Sequence, residues 1–224
     1  MSGIVGGINL RSSGLVNNSS ASDGQVFTGT GTGLPAGFEA AAGGGAWNFL
    51  STATASTSAT IDFTSSIITS TYDQYMVTLT NIKPDTDATN FLFRVSVSST
   101  FITSGYPEAG MYFNNAAGTP AMNAGYANSS SPAIGLNSFV DSNHLGTATD
   151  EQYNGSLFIY NPTNASHYTC VTGYCVYETD GGLFTTGQMG GHYPATSAVD
   201  GIRFYMTSGN IASGVFRVYG LANS

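Results

Sequence analysis

From Trp47 onward the chain is made of short runs in which apolar and polar residues alternate. Phe91, Phe93, Val95 and Val97 interleave with Leu92, Arg94, Ser96 and Ser98, the period of two that sends one set to each face of a strand. Similar β-branched and aromatic runs occupy 60–67, 75–82, 90–97, 155–162, 167–179, 200–208 and 214–221. Turn chemistry separates them at Lys83-Pro84-Asp85-Thr86-Asp87, Asn161-Pro162, Asp180-Gly181-Gly182 and Ser208-Gly209-Asn210. With further strands at 110–113 and 184–190, the pattern predicts eight or nine strands over about 175 residues. Such a chain is all-β, and the spacing suits an antiparallel β-sandwich of jelly-roll-like form.

The segment before Trp47 differs in kind. Its apolar residues, Ile4, Val5, Ile8, Leu10, Leu15, Val16, Val26, Phe27, Leu34 and Phe38, follow neither a 3.6- nor a 2-residue period. Glycine runs such as Gly43-Gly44-Gly45 disfavour compact structure. The segment is nevertheless too apolar for a solvated linker. Residues 1–46 are therefore expected to form an extended, Gly-rich arm that lies against a partner, and 47–224 a β-sandwich body.

Within the body, 98–152 is the least regular stretch and predicts long loops. It is rich in tyrosine, asparagine and serine, residue types favoured in adaptable recognition surfaces. Tyr106, Tyr112, Asn114, Asn115, Tyr126 and Asn128 are the candidate contact residues. The competing expectation is that these loops pack on the sandwich or on a neighbour.

Composition narrows the function classes. Charged residues make up only 8% of 224, with 5 basic against 13 acidic and a net charge of -8. Lys83 is the sole lysine. Nucleic-acid binding needs clustered Lys and Arg and is not expected, and attraction to anionic lipid fails for the same reason. A hydrophobic fraction of 41% argues against disorder. No stretch approaches the roughly 18 apolar residues of a membrane span. Residues Met1 to Leu10 lack the basic and apolar regions of a signal peptide.

The chain offers little catalytic chemistry. Gly29, Gly31 and Gly33 do not satisfy G-x-G-x-x-G and lack the flanking strand and helix of a phosphate loop. His144, His167 and His192 have no partner at metal-ligand spacing. Asp85, Asp87 and Asn90 could offer oxygens to calcium, but without the loop glycine and bidentate Glu they read as a solvated turn. A glycosidase would need two opposed carboxylates, and no setting singles out such a pair. Trp47, the one tryptophan, is expected in a core or interface. No cofactor, metal or catalytic residue is assigned.

Arg94, Arg203 and Arg217 each sit inside a strand beside aromatics. A guanidinium placed there stacks on a ring and pairs with an acid, so all three read as structural clamps. Cys170 and Cys175 are five residues apart in one predicted strand, which puts them on opposite faces and forbids a disulfide. Two free and mostly buried thiols are expected.

The opening SGIVGGINLRSSGLV and the later DGQVFTGTGTGLPAGFEAAAGGG resemble the N-terminal portions of tail-fibre and appendage proteins of marine tailed bacteriophages. The closing GNIASGVFRVYGL resembles their terminal strand. The likeness extends over WNFLSTATASTSATIDFTS and DGIRFYMTSGNI but not over the irregular middle. It implies a virion structural protein made in the bacterial cytoplasm, docked through its N-terminal arm to other virion proteins, with the body projecting as a short fibre or spike. A homotrimer and contact with a host-surface glycan follow from the same resemblance. A capsid decoration protein without a ligand and a carbohydrate-binding module are the alternatives.

Overall fold

A computed structural model describes residues 25–28, 37–40, 46–115, 121–137 and 144–222. The chain divides into two compact units, Met1–Ala46 and Trp47–Ser224. In the first, β1 (Gln25–Thr28) pairs antiparallel with β2 (Gly37–Ala40), Phe27 standing opposite Phe38. This pair was not expected from the sequence, because four residues are too few for a period of two to stand out. Val26, Phe27 and Phe38 belong to it, whereas Ile4, Val5, Ile8, Leu10, Leu15, Val16 and Leu34 lie outside the described residues.

The second unit is an antiparallel β-sandwich with no helix among the described residues. Its strands are β3 (Trp47–Ser58), β4 (Thr60–Phe63), β5 (Gln74–Pro84), β6 (Phe91–Val97), β7 (Thr100–Phe101), β8 (Tyr106–Asn114), β9 (Ala121–Ser131) and β10 (Ile134–Gly135). They continue as β11 (Tyr153–Tyr160), β12 (Thr169–Glu178), β13 (Phe184–Tyr193), β14 (Gly201–Met206) and β15 (Ile211–Leu221). The larger sheet runs β3-β15-β5-β11-β12-β13-β8-β9, and the smaller runs β10-β6-β14-β4 with β7 paired to β6.

Eight of these strands form a jelly roll. Taking β3, β4, β5, β6, β10, β11, β14 and β15 as first to eighth, the sheet orders are first-eighth-third-sixth and second-seventh-fourth-fifth, two interleaved Greek keys. The pair β8–β9 is inserted before the fifth strand and the pair β12–β13 after the sixth. The two insertions meet through the β13–β8 ladder and widen the larger sheet.

The core forms where the inward rows meet. Phe91, Phe93 and Phe204 of the smaller sheet face Phe216 and Tyr153 of the larger, all fully buried. The ring of Phe91 lies 5.3 Å from that of Tyr153, 5.9 Å from Phe204 and 6.2 Å from Phe216. Alternation in β6 holds from Phe91 to Val95 and then breaks, with Ser96 buried and Val97 half-buried. The cause lies in the next turn. Ser98 and Ser99 both have positive φ, the conformation of a tight two-residue hairpin. Asp200 fixes that turn by accepting from the Ser96 hydroxyl at 2.6 Å and the Ser99 amide at 2.7 Å.

The central strand β5 carries a bulge where Asn81 turns to positive φ. Its amide, displaced from the ladder, donates to the Asn154 side-chain oxygen at 2.8 Å. On the other side Gly214, at φ 134°, makes room: a Cβ there would lie 2.8 Å from the Ile82 Cα. The irregularity is therefore matched on both neighbouring strands.

The stretch 98–152, expected as long loops, instead carries the two long strands β8 and β9; of its irregular parts 133–137 and 145–146 pack into the sandwich, while 147–150 are exposed. Ile134, Leu136, Asn137 and Leu145 are fully buried. The Leu136 carbonyl accepts from the Tyr153 hydroxyl, the Asn137 carbonyl from the Tyr177 hydroxyl, and the Asn137 side chain from the Phe91 amide. Leu145 bridges Thr89 and Thr179. This stretch closes the inner face of the widened sheet.

Phe91→Ala is expected to destabilise the body by about 3–5 kcal/mol, because the ring sits where both sheets converge; the midpoint of urea unfolding checks it. A second expectation concerns alkaline pH. Burial pushes the Cys175 thiol and the Tyr106 phenol up to about 12 and raises Tyr153 and Tyr177 as well. In the unfolded chain these groups ionise near 9 and 10, so above that range the unfolded state binds fewer protons than the folded one. Stability should hold its full value below about pH 9 and fall as pH climbs towards about 12, which urea titrations at stepped alkaline pH would read directly.

Candidate functional site

The residues singled out for surface contact divide sharply by position. Tyr106 is fully buried, its hydroxyl accepting from the Val95 amide and donating to the Ile102 carbonyl, both at 3.1 Å. Tyr112 and Asn114 are buried too, since the inward row of β8 carries all three. These residues belong to the core and present nothing to a ligand. Asn115 and Asn128 are exposed. Asn115 accepts from the Phe184 amide at 3.0 Å, and Asn128 accepts from the Ser130 amide at 2.9 Å. Tyr126 is placed by its backbone opposite Gly110 in the β8–β9 ladder.

The arginines act separately. Arg203 lies 3.8 Å above the Phe101 ring and grips Asp62 with two hydrogen bonds, Nε to Oδ1 at 2.8 Å and Nη2 to Oδ2 at 2.6 Å. Arg94, directly opposite it, stacks 4.5 Å over Tyr205 and donates to the Pro132 carbonyl at 3.0 Å. Arg217 is half-buried on the larger sheet, with neither a ring nor an acid partner among the described residues.

Asp85 accepts from the Asn210 amide, the Asn210 side chain and the Thr86 hydroxyl. The hydrogen bond from the Asn210 amide is the main cause that holds its carboxyl below the ordinary value. It ties the turn after β5 to the turn before β15. Among the described residues no three His, Cys, Asp or Glu side chains come within reach of a common metal ion. His192 stacks flat on Tyr168, 5.3 Å apart.

A different surface emerges from register. Among the described residues the exposed large hydrophobics, Phe49, Met111, Phe113, Tyr168, Tyr174, Val176 and Phe184, all lie on or beside the outer face of the larger sheet. One cross-strand row reads Phe49, Tyr219, Met76, Phe158, Thr172, Gly190, Ala109. The next reads Thr52, Arg217, Thr78, Ser156, Tyr174, Gln188, Met111. A third brings Asn154, Val176, Thr186 and Phe113 together. Phe49 meets Tyr219 edge-on at 5.7 Å, and Trp47 reaches Phe158 at 6.2 Å.

Shallow depressions follow the small residues of these rows. One is lined by Ala109, Thr172 and Gly190 beside Met111 and Gln188, and another by Gly155 and Ser156 beside Tyr174 and Val176. Charged residues in register with the face are Arg217, Lys83 and, at its margin, Glu178. The face is thus apolar and charge-poor, with hydroxyls and amides set among the rings.

Sequence reasoning left this face unnoticed. Its signal was present in 167–179, where Tyr168, Tyr174 and Val176 oppose Val171, Cys175 and Tyr177, so both faces of one strand read as apolar. A strand covered on both sides has that pattern.

Fold and face together define a jelly-roll sandwich with a broad, charge-poor apolar surface on its larger sheet. No protein-family model, curated protein or solved structure matches the chain.

The cysteines lie on opposite faces of β12, but only Cys175 is buried; Cys170 is exposed on the outer face. The expectation of two mostly buried thiols fails for Cys170, because its row is the uncovered one. Titration of the native protein with Ellman's reagent should therefore release one equivalent quickly, and the second only after unfolding.

Proposed function

We propose that this chain is a structural protein of a bacteriophage particle, a short fibre or spike of tail or capsid. In this reading Met1–Ala46 anchors it to other virion proteins and Trp47–Ser224 is presented to the host surface. The observation that carries the reading is the join of two unlike units: a segment whose apolar residues have no period of their own, and a jelly roll with a wide, charge-poor face. Such a chain works by contact. The likeness of its first 46 residues and of its last strand to phage appendage proteins supplies the setting. Contact with a host glycan would involve Asn115 and Asn128, which are exposed, and not the tyrosines of β8.

Capsid decoration is the second reading. It expects the stretch 98–152 to be covered by neighbouring subunits, and the exposed segments 127–130 and 147–150 are the parts open to such cover. Copy number separates the two: tens at the tail for a fibre, hundreds over the shell for decoration.

Deleting residues 2–45 is expected to leave the body folded with an unchanged melting temperature, while the protein disappears from purified particles. Loss of the fold would place the segment inside the domain. Normal incorporation would move the anchor elsewhere and overturn the reading.

A further inference from the structure

We infer that the outer face of the larger sheet is the seat of a second copy of this chain, two bodies packing face to face about a two-fold axis. Size comes first. Seven strands at about 4.8 Å spacing span about 29 Å, and ten residues of β12 or β13 run about 33 Å. That is a face of roughly 950 Å², against about 800 Å² per partner in a standard stable interface.

Charge points the same way. The chain carries a net charge of -8, yet this face holds Lys83 and Arg217 with Glu178 at its margin. Two copies meeting here therefore set no row of acids against another. Composition separates a protein partner from a sugar. Met111, Phe113, Val176 and Phe184 carry at most one weak acceptor between them, so the face offers few of the hydrogen bonds a hydroxyl-rich ligand needs. Aromatic residues and methionine are the types enriched where protein meets protein.

Shape supplies the symmetry. Across β12, β13 and β8 the bulky Tyr174, Gln188 and Met111 lie beside the smaller Thr172, Gly190 and Ala109, and across β5 and β11 the sizes reverse, Met76 and Phe158 lying beside Thr78 and Ser156. A two-fold axis running between these two rows sets the larger side chains of each copy against the smaller ones of the other, the self-complementary arrangement of an isologous contact. The pair replaces the three-fold assembly that the family resemblance implies.

This inference does not depend on where the protein sits in a particle, so solution measurements test it apart from the proposed function. Sedimentation velocity on the full chain from about 1 to 100 µM should show a pair or a multiple of pairs. Met111→Asp and Tyr174→Asp, both at exposed positions, should each weaken the pair by at least about thirtyfold with an unchanged far-ultraviolet spectrum. Cys170 lies on the same face, so its maleimide labelling in the wild-type protein should slow by about tenfold or more across that range. The labelling needs no variant and stands even if an aspartate substitution fails to fold. A monomer throughout, a trimer, pairs that survive both substitutions, or labelling indifferent to concentration would each overturn the inference. So would a monomer whose Cys170 is shielded by dextran or another neutral polysaccharide, which would give the face to a glycan.

Discussion

Four buried phenol hydroxyls hold the sandwich to its loops. Tyr75, Tyr106, Tyr153 and Tyr177 lie inside with their rings filling the core, and each hydroxyl donates to a backbone carbonyl: Thr69, Ile102, Leu136 and Asn137. A ring is welcome in the interior, but its hydroxyl must be paired there or cost about 1–3 kcal/mol. The pairing fixes three irregular stretches at once: the turn after β4, the stretch after β7 and the run through β10. Segments that look unstructured in sequence are thus tied to the strands through the core.

That constraint also explains the asymmetry between the faces. The smaller sheet covers the jelly-roll half of the larger one, and the pinned run through Leu136 and Asn137 covers the inserted half. The inner side of the larger sheet is closed along both halves. Its outer side carries a comparable number of rings, and no described strand or loop of the body covers them.

Strands were legible in the sequence because alternation and turn chemistry are local. Each of the nine predicted runs lies within or across a strand of the structure. The pattern does not reveal the Trp47–Ser58 strand, whose small Ser, Thr and Ala residues give little apolar contrast, and the same is true of Ala121–Ser131. Which face of a strand turns inward is not local information. In β8 the run Met111, Tyr112, Phe113 is apolar throughout, so burial of Tyr112 and exposure of its neighbours follow from what lies opposite. For that reason Tyr106, Tyr112 and Asn114, expected at a contact surface, are core, and the apolar outer face emerges only from register. Arg203 shows the converse: its environment within the strand was readable, but its partner Asp62 is 141 positions away.

The two inserted pairs depend on each other in one direction only. The β8–β9 pair joins the larger sheet only through β13, and β13 reaches the jelly roll only through β12. Cutting out β8–β9 would leave β13 as a new unpaired edge. Cutting out β12–β13 would remove the whole ladder by which β8–β9 is attached.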